Sequence, residues 1–117
     1  MTKILVVEDD QTIALGIEYS LKQEGFQVEV AYDFATAKAV LQQGPFDLIL
    51  LDVSLPDGSG FDLCRLIRKR SDTPVIFLTA RDEEVHVVMG LDMGADDYVT
   101  KPFRVRELIS RIKSVMR

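Results

Sequence analysis

Acidic side chains stand where two apolar runs stop. Glu8, Asp9 and Asp10 follow Ile4-Leu5-Val6-Val7, and Asp52 follows Leu48-Ile49-Leu50-Leu51. A third run, Val75–Leu78, ends in Thr79-Ala80, and a shorter segment from Asp97 ends in Thr100-Lys101-Pro102. Gathered in one crevice, Glu8, Asp9 and Asp52 would repel one another. At about 4 Å and an effective dielectric of about 20, each like pair costs about 4 kcal/mol before screening. Such a pocket must hold a proton, a cation or a lysine. Mg²⁺ suits it, because that ion takes carboxylate oxygens and keeps waters and phosphate oxygens in its octahedron. Lys101 supplies a further positive charge. An acid in such a place also serves as a helix N-cap, and Asp10 is read that way.

These residues meet only if the runs before them are neighbouring strands. Five segments are predicted as strands: Lys3–Val7, Phe26–Val30, Asp47–Leu51, Val75–Thr79 and Asp97–Thr100. Ile4–Val7, Leu48–Leu51 and Val75–Leu78 are apolar at successive positions, as in strands covered on both faces. Phe26-Gln27-Val28-Glu29-Val30 alternates instead, which predicts an edge strand. Helical spacing follows each strand. Ile13, Ile17 and Leu21 lie between Asp10 and Gly25; Ala37, Val40 and Leu41 lie between Asp33 and Gly44-Pro45. Leu63, Leu66 and Ile67 fall in Gly60–Arg70, Val88 and Leu91 in Asp82–Met93, and Val105, Leu108, Ile109 and Ile112 in Arg104–Met116. A β-α unit repeated five times dictates parallel strands and right-handed crossovers. The fold class is α/β, a three-layer α/β/α sandwich. Such sheets bind ligands beyond the carboxyl ends of their strands, where the strand order reverses.

Composition narrows the classes. The chain has 117 residues, enough for one domain. Fourteen Lys and Arg against nineteen Asp and Glu leave a net charge of −5. That balance disfavours nucleic-acid binding by the domain itself, since phosphate contacts need concentrated positive charge. No apolar run approaches the ~20 residues of a membrane span, and no signal-peptide pattern precedes the first strand. The single Cys64 forms no internal disulfide, which fits a reducing cytosol.

Four stretches carry a resemblance. Ile4-Leu5-Val6-Val7-Glu8-Asp9-Asp10, Leu51-Asp52-Val53-Ser54-Leu55-Pro56-Asp57-Gly58-Ser59-Gly60, Leu78-Thr79-Ala80-Arg81 and Gly94-Ala95-Asp96-Asp97-Tyr98-Val99-Thr100-Lys101-Pro102-Phe103 together resemble the receiver (CheY-like) domain of two-component response regulators. The likeness spans essentially the whole chain. Each motif is weak alone; four in order at strand ends are specific. The Ala95–Phe103 segment is most similar to the OmpR/PhoB-type subfamily, whose receivers precede a winged-helix DNA-binding domain. The resemblance implies a flavodoxin-like five-stranded parallel sheet in the order 2-1-3-4-5, an order known for CheY and taken from the resemblance alone.

It also implies a chemistry. Asp52 would be the phosphoacceptor, its carboxylate attacking a phosphohistidine of a partner sensor histidine kinase. Asp9, Asp52 and the backbone carbonyl of Ser54 would hold Mg²⁺ directly, with Glu8 acting through water or by positioning. Lys101 would pair with phosphoryl oxygens, Thr79 would donate its hydroxyl, and the small Ala80 would leave room. Thr79 and Tyr98 would form the switch, and the Lys101–Pro102 bond is expected to be cis. The implied role is regulatory rather than enzymatic, and cytoplasmic. Residues 1–117 would be the receiver of a longer transcription regulator that touches DNA only through a C-terminal domain absent from this chain.

The subfamily's dimer face, built on its fourth helix, last strand and last helix, is matched by Asp96, Asp97, Glu107 and Arg111. Val87 stands where a basic residue is usual, and Met89 and Met93 point away from Val88 and Leu91 on a helical wheel. The expectation is a homodimer, formed on phosphorylation, with fewer ion pairs and more apolar contact. His86 is read as a surface or boundary residue and Cys64 as a packing residue. Arg65, Arg68, Lys69 and Arg70 are read as a solvated basic face. Three rivals fit less well. A flavodoxin-like FMN binder wants Ser, Thr and Gly where Glu8-Asp9-Asp10 stands. A haloacid-dehalogenase phosphatase wants an Asp where Ser54 stands. A binding-only pseudo-receiver would not need the complete acidic set with Thr79 and Lys101.

Overall fold

A computed structural model of the chain describes residues 2–80, 92 and 94–117. The helix expected over Asp82–Met93, with His86, Val87, Val88, Met89, Leu91 and Met93, lies outside the described residues but for Asp92. β1 (Lys3–Val7) is buried from Ile4 to Val7. β2 (Gln27–Ala31), with its alternating Gln, Val, Glu and Val, is only partly covered and forms one edge of the sheet. β3 (Leu48–Asp52) is buried at every position. A short antiparallel hairpin follows, β4 (Ser54–Leu55) and β5 (Gly58–Ser59). Strand periodicity does not predict this two-residue pairing, although Pro56-Asp57-Gly58 is a turn signature. β6 (Val75–Ala80) and β7 (Asp97–Lys101) complete the main sheet. Its five strands are parallel and lie in the order β2-β1-β3-β6-β7. Without the hairpin this is 2-1-3-4-5, the order the resemblance implied.

Helices cover both faces. α1 (Gln11–Gln23) starts at Asp10, whose carboxylate accepts the Thr12 and Ile13 amides at 3.0 and 3.1 Å. It stops at Gly25, whose φ of 90° lies in the left-handed region that a glycine occupies without strain. α2 (Phe34–Gln43) starts at Asp33, which accepts the Thr36 amide at 2.7 Å. α3 (Gly60–Arg70) has its predicted bounds and is capped by Ser59. α4 (Val105–Val115) closes the described chain without a side-chain cap. Leu21 of α1 and Leu108 and Ile112 of α4 pack with Ile4, Val6 and Leu50 on one side of the sheet. Ala37 of α2 and Leu63 and Ile67 of α3 pack with Leu5, Ile49 and Leu51 on the other. Each such Leu or Ile contributes about 1.5–3 kcal/mol by leaving water. Val105 departs from the expected apolar face and is 40% exposed, because it begins α4 outside the layer of Leu108 and Ile112.

Four strands run one residue past the predicted end: β2 to Ala31, β3 to Asp52, β6 to Ala80 and β7 to Lys101. At Asp52 and Lys101 the side chain turns polar while the backbone ladder carries on. Asp52 is in register with Leu78, and Ala80 with Lys101. Two chemical residues therefore sit in the sheet itself rather than in loops.

Candidate functional site

Strand order brings the chemistry together. Glu8 directly follows β1, Asp52 ends the adjacent β3, Thr79 lies near the end of β6, and Lys101 ends β7. One oxygen from each of Glu8, Asp9 and Asp52 lies within 4.8 Å of the others. Glu8 is fully buried, Asp52 is 6% exposed, and Asp9 faces solvent. The pocket is thus deep at Glu8 and open at Asp9. Asp52 Oδ1 accepts the Ser54 amide at 3.2 Å, and Glu8 Oε2 accepts the Asp10 amide at 3.2 Å.

Lys101 answers the negative charge. It stands two strands from Asp52, about 10 Å by sheet spacing, and its long side chain spans the gap. The ammonium donates to Asp52 Oδ2 at 3.0 Å and lies 2.6 Å from Glu8 Oε1. The second contact is a charge contact without hydrogen-bond direction, so the buried Glu8 Oε1 has no well-aimed donor. The Lys101–Pro102 peptide is cis. Burial, then a hydrogen bond shared with Asp52, pushes the Glu8 carboxyl up to about 8 against the pull of Lys101. Burial alone would lower Lys101, but Glu8 and Asp52 outweigh it and hold the ammonium above its usual range. Without a further cation, then, the pocket stores a proton on Glu8 and a charge on Lys101. The residues fit a hard divalent cation: the donors are carboxylate oxygens from three chain positions, and one buried oxygen lacks a directed partner.

Thr79 is 1% exposed and Ala80 beside it is open to solvent. Thr79 shares a sheet face with Phe77, since side chains alternate along a strand. Tyr98 pairs in register with Phe77 and packs, half-buried, on the α2–α3 side. Thr79 and Tyr98 thus share one face on adjacent strands. Of the expected dimer-face residues, Asp97 receives both bonds of Arg111 Nη1 at 3.0 Å. Asp96 accepts from Arg68 at 3.1 Å and from the Val75 amide at 2.9 Å. Glu107 is exposed, and Val87 lies outside the described residues.

Two residues do work that the residue pattern did not reveal. Arg68, read as part of a solvated face, donates to the Gly94 and Thr73 carbonyls as well as to Asp96. Asp57 accepts the Phe34 and Ala35 amides at the start of α2. No local signal announces either, because most of their partners lie more than twenty residues away.

Comparison with known proteins agrees with the fold. A family model described as the response regulator receiver domain matches residues 4–113. The sensory transduction protein RegX3 of Mycolicibacterium smegmatis is 48% identical over all 117 residues, which cover 51% of that protein. RegX3 of Mycobacterium tuberculosis is likewise 48% identical, with 52% of its length covered. The chain therefore spans about half the length of these curated relatives. Among solved structures, a two-component response regulator from Clostridium difficile superposes with a TM-score of 0.95 at 30% identity, covering 100% of this chain and 97% of that one. The receiver domain of the TMAO respiratory system response regulator TorR gives 0.94 at 40% identity, covering 99% and 97%.

Proposed function

Since the chain belongs to the response regulator receiver domain family, we propose that Asp52 accepts a phosphoryl group from the phosphohistidine of a partner sensor histidine kinase. The observation that carries this reading is one ammonium, Lys101, held between Asp52 and Glu8 in a pocket whose three carboxylates lie within 4.8 Å. An Asp52 oxygen attacks phosphorus, the P–O bond forms as the P–N bond to the donor histidine breaks, and an aspartyl phosphate results. Asp9, Asp52 and the Ser54 carbonyl, helped by Glu8, would hold Mg²⁺, which supplies charge neutralisation at the attacking carboxylate and the phosphoryl oxygens. Lys101 exchanges its Asp52 contact for a phosphoryl oxygen, Thr79 donates its hydroxyl to another, and Ala80 leaves the mouth open. Positioning and electrostatics suffice for such a transfer.

The phosphoryl group adds charge and acceptor oxygens. Thr79 is drawn toward it, and Tyr98, on the same sheet face, fills the space behind. To move this switch from 1:99 to 99:1, phosphorylation must favour the active form by about 5.5 kcal/mol. The output is a homodimer on a face that includes Val87, Asp96, Asp97, Glu107 and Arg111. It regulates an attached winged-helix domain of the OmpR/PhoB type, and DNA is met through that domain alone. The chain works in the cytoplasm as a regulator that takes part in its own phosphorylation and dephosphorylation rather than as an enzyme. Intact mass after treatment with acetyl phosphate and Mg²⁺ tests the reading. The native chain gains the mass of one phosphoryl group and Asp52→Asn gains none; labelling of both, or of neither, overturns it.

A further inference from the structure

We propose that Asp57 is a positioning residue of the phosphoacceptor site: by tying the β4–β5 hairpin to the first turn of α2, it sets the backbone of Ser54 beside Asp52. The inference rests on the phosphoacceptor reading above. Asp57 sits at the tip of the hairpin and is exposed, yet both of its oxygens are engaged. Oδ1 accepts the Phe34 amide at 2.7 Å and Oδ2 accepts the Ala35 amide at 3.0 Å. α2 does not depend on it for a cap, because Asp33 already takes the Thr36 amide. Asp57 instead satisfies the two first-turn amides that Asp33 leaves open. Bonds to a carboxylate are about twice as strong as neutral ones.

The rest of the hairpin is held just as closely. A Cβ on Gly58 would stand 3.0 Å from the Phe34 ring, so the hairpin tip lies flat against α2. At the base, the Gly60 amide donates to the Val53 carbonyl at 2.7 Å, and a Cβ on Gly60 would collide with the Asp52 carbonyl oxygen. Ser54 pairs with Ser59 across the hairpin, and its amide reaches Asp52 Oδ1. The segment bearing the proposed carbonyl ligand is therefore anchored at Gly60 and at Asp57. Asp57 itself is not among the clustered carboxylates of the pocket. Its charge acts on α2, and through the hairpin on Ser54. Contacts of this kind, one step removed from a cation, orient its ligands.

The experiment compares the whole chain with Asp57→Ala, Asp57→Asn and Asp33→Ala by calorimetric titration with Mg²⁺ alone. Hydrogen exchange of amides 53–60 is measured in the metal-free proteins. Asp57→Ala weakens Mg²⁺ binding about tenfold and speeds exchange across the hairpin. Asp57→Asn, which keeps one oxygen acceptor, falls between it and wild type. Asp33→Ala, which frays the same helix from its own side, leaves both readings near wild type. Wild-type Mg²⁺ affinity in Asp57→Ala, or an equal loss in Asp33→Ala, overturns the positioning role. A wild-type chain that takes up no Mg²⁺ overturns the phosphoacceptor reading beneath it, whereas hairpin exchange that is identical in all four proteins overturns the clamp alone.

Discussion

Glu8 and Lys101 divide the charge of the pocket between them. Glu8, with no exposed surface, keeps its proton to about pH 8, whereas in the unfolded chain it releases it near 4.5. Between those values the native state binds more protons than the unfolded one, so stability of the metal-free protein falls as pH rises through that window. The slope reaches at most about 1.4 kcal/mol per pH unit. Urea midpoints of the metal-free chain should therefore decline from about pH 4.5 to about pH 8, and Glu8→Gln should flatten the profile. A profile that is equally steep in the variant would show that the slope arises elsewhere. Lys101 has a different task, because its ammonium is the cation already aimed at Asp52. Lys101→Met should slow labelling of Asp52 by acetyl phosphate about a hundredfold, the scale of losing one donor aimed at developing charge. Rates at saturating Mg²⁺ check this against a simple loss of metal affinity.

The elements matter through their ends. β3 and β7 each extend one residue beyond their expected end, which places Asp52 and Lys101 on ladder-bonded backbone instead of in loops. The start of α3 then lies so close to β3 that only hydrogen fits at position 60. Gly60→Ala should force the helix or the Asp52 carbonyl to move and cost about 1–3 kcal/mol, read from urea unfolding. An unchanged midpoint would mean that the junction relaxes freely. At the opposite end of the strands, Arg68 joins α3 to the entries of β6 and β7 through Thr73, Gly94 and Asp96. An arginine fork suits this task, since it offers several donors in fixed geometry.

Among the described residues, two apolar layers lie on either side of the main sheet, and Cys64 lies wholly inside the α2–α3 layer. Burial pushes its thiol above the usual range despite the nearby Arg68. Since the thiolate is the reactive form, a thiol reagent should label Cys64 only as the chain opens. Its rate should rise with urea in step with unfolding followed by circular dichroism. Rapid labelling of the folded protein would place Cys64 in a locally opening segment. The same layered plan explains why the acids collect at one edge: every parallel strand of the main sheet points its carboxyl end the same way, so residues that follow strands converge.

How much of this was legible beforehand follows from the range of the forces involved. Strand and helix periodicity, the caps at Asp10 and Asp33, and the bounds of α3 are local, so they stand in the order of the residues. The strand-end positions of Glu8, Asp52, Thr79 and Lys101 are local features too, whereas their meeting depends on the strand order, which only the family resemblance implied. Folding in three dimensions decided the remainder. Glu8 holds a proton because its neighbours exclude water, Asp57 turns to α2 across 23 residues, and Arg68 leaves its expected solvated face for carbonyls as far as 26 residues away. Periodicity records which face of an element is apolar; desolvation and long-range hydrogen bonds depend on what packs against it, which no single stretch of chain contains.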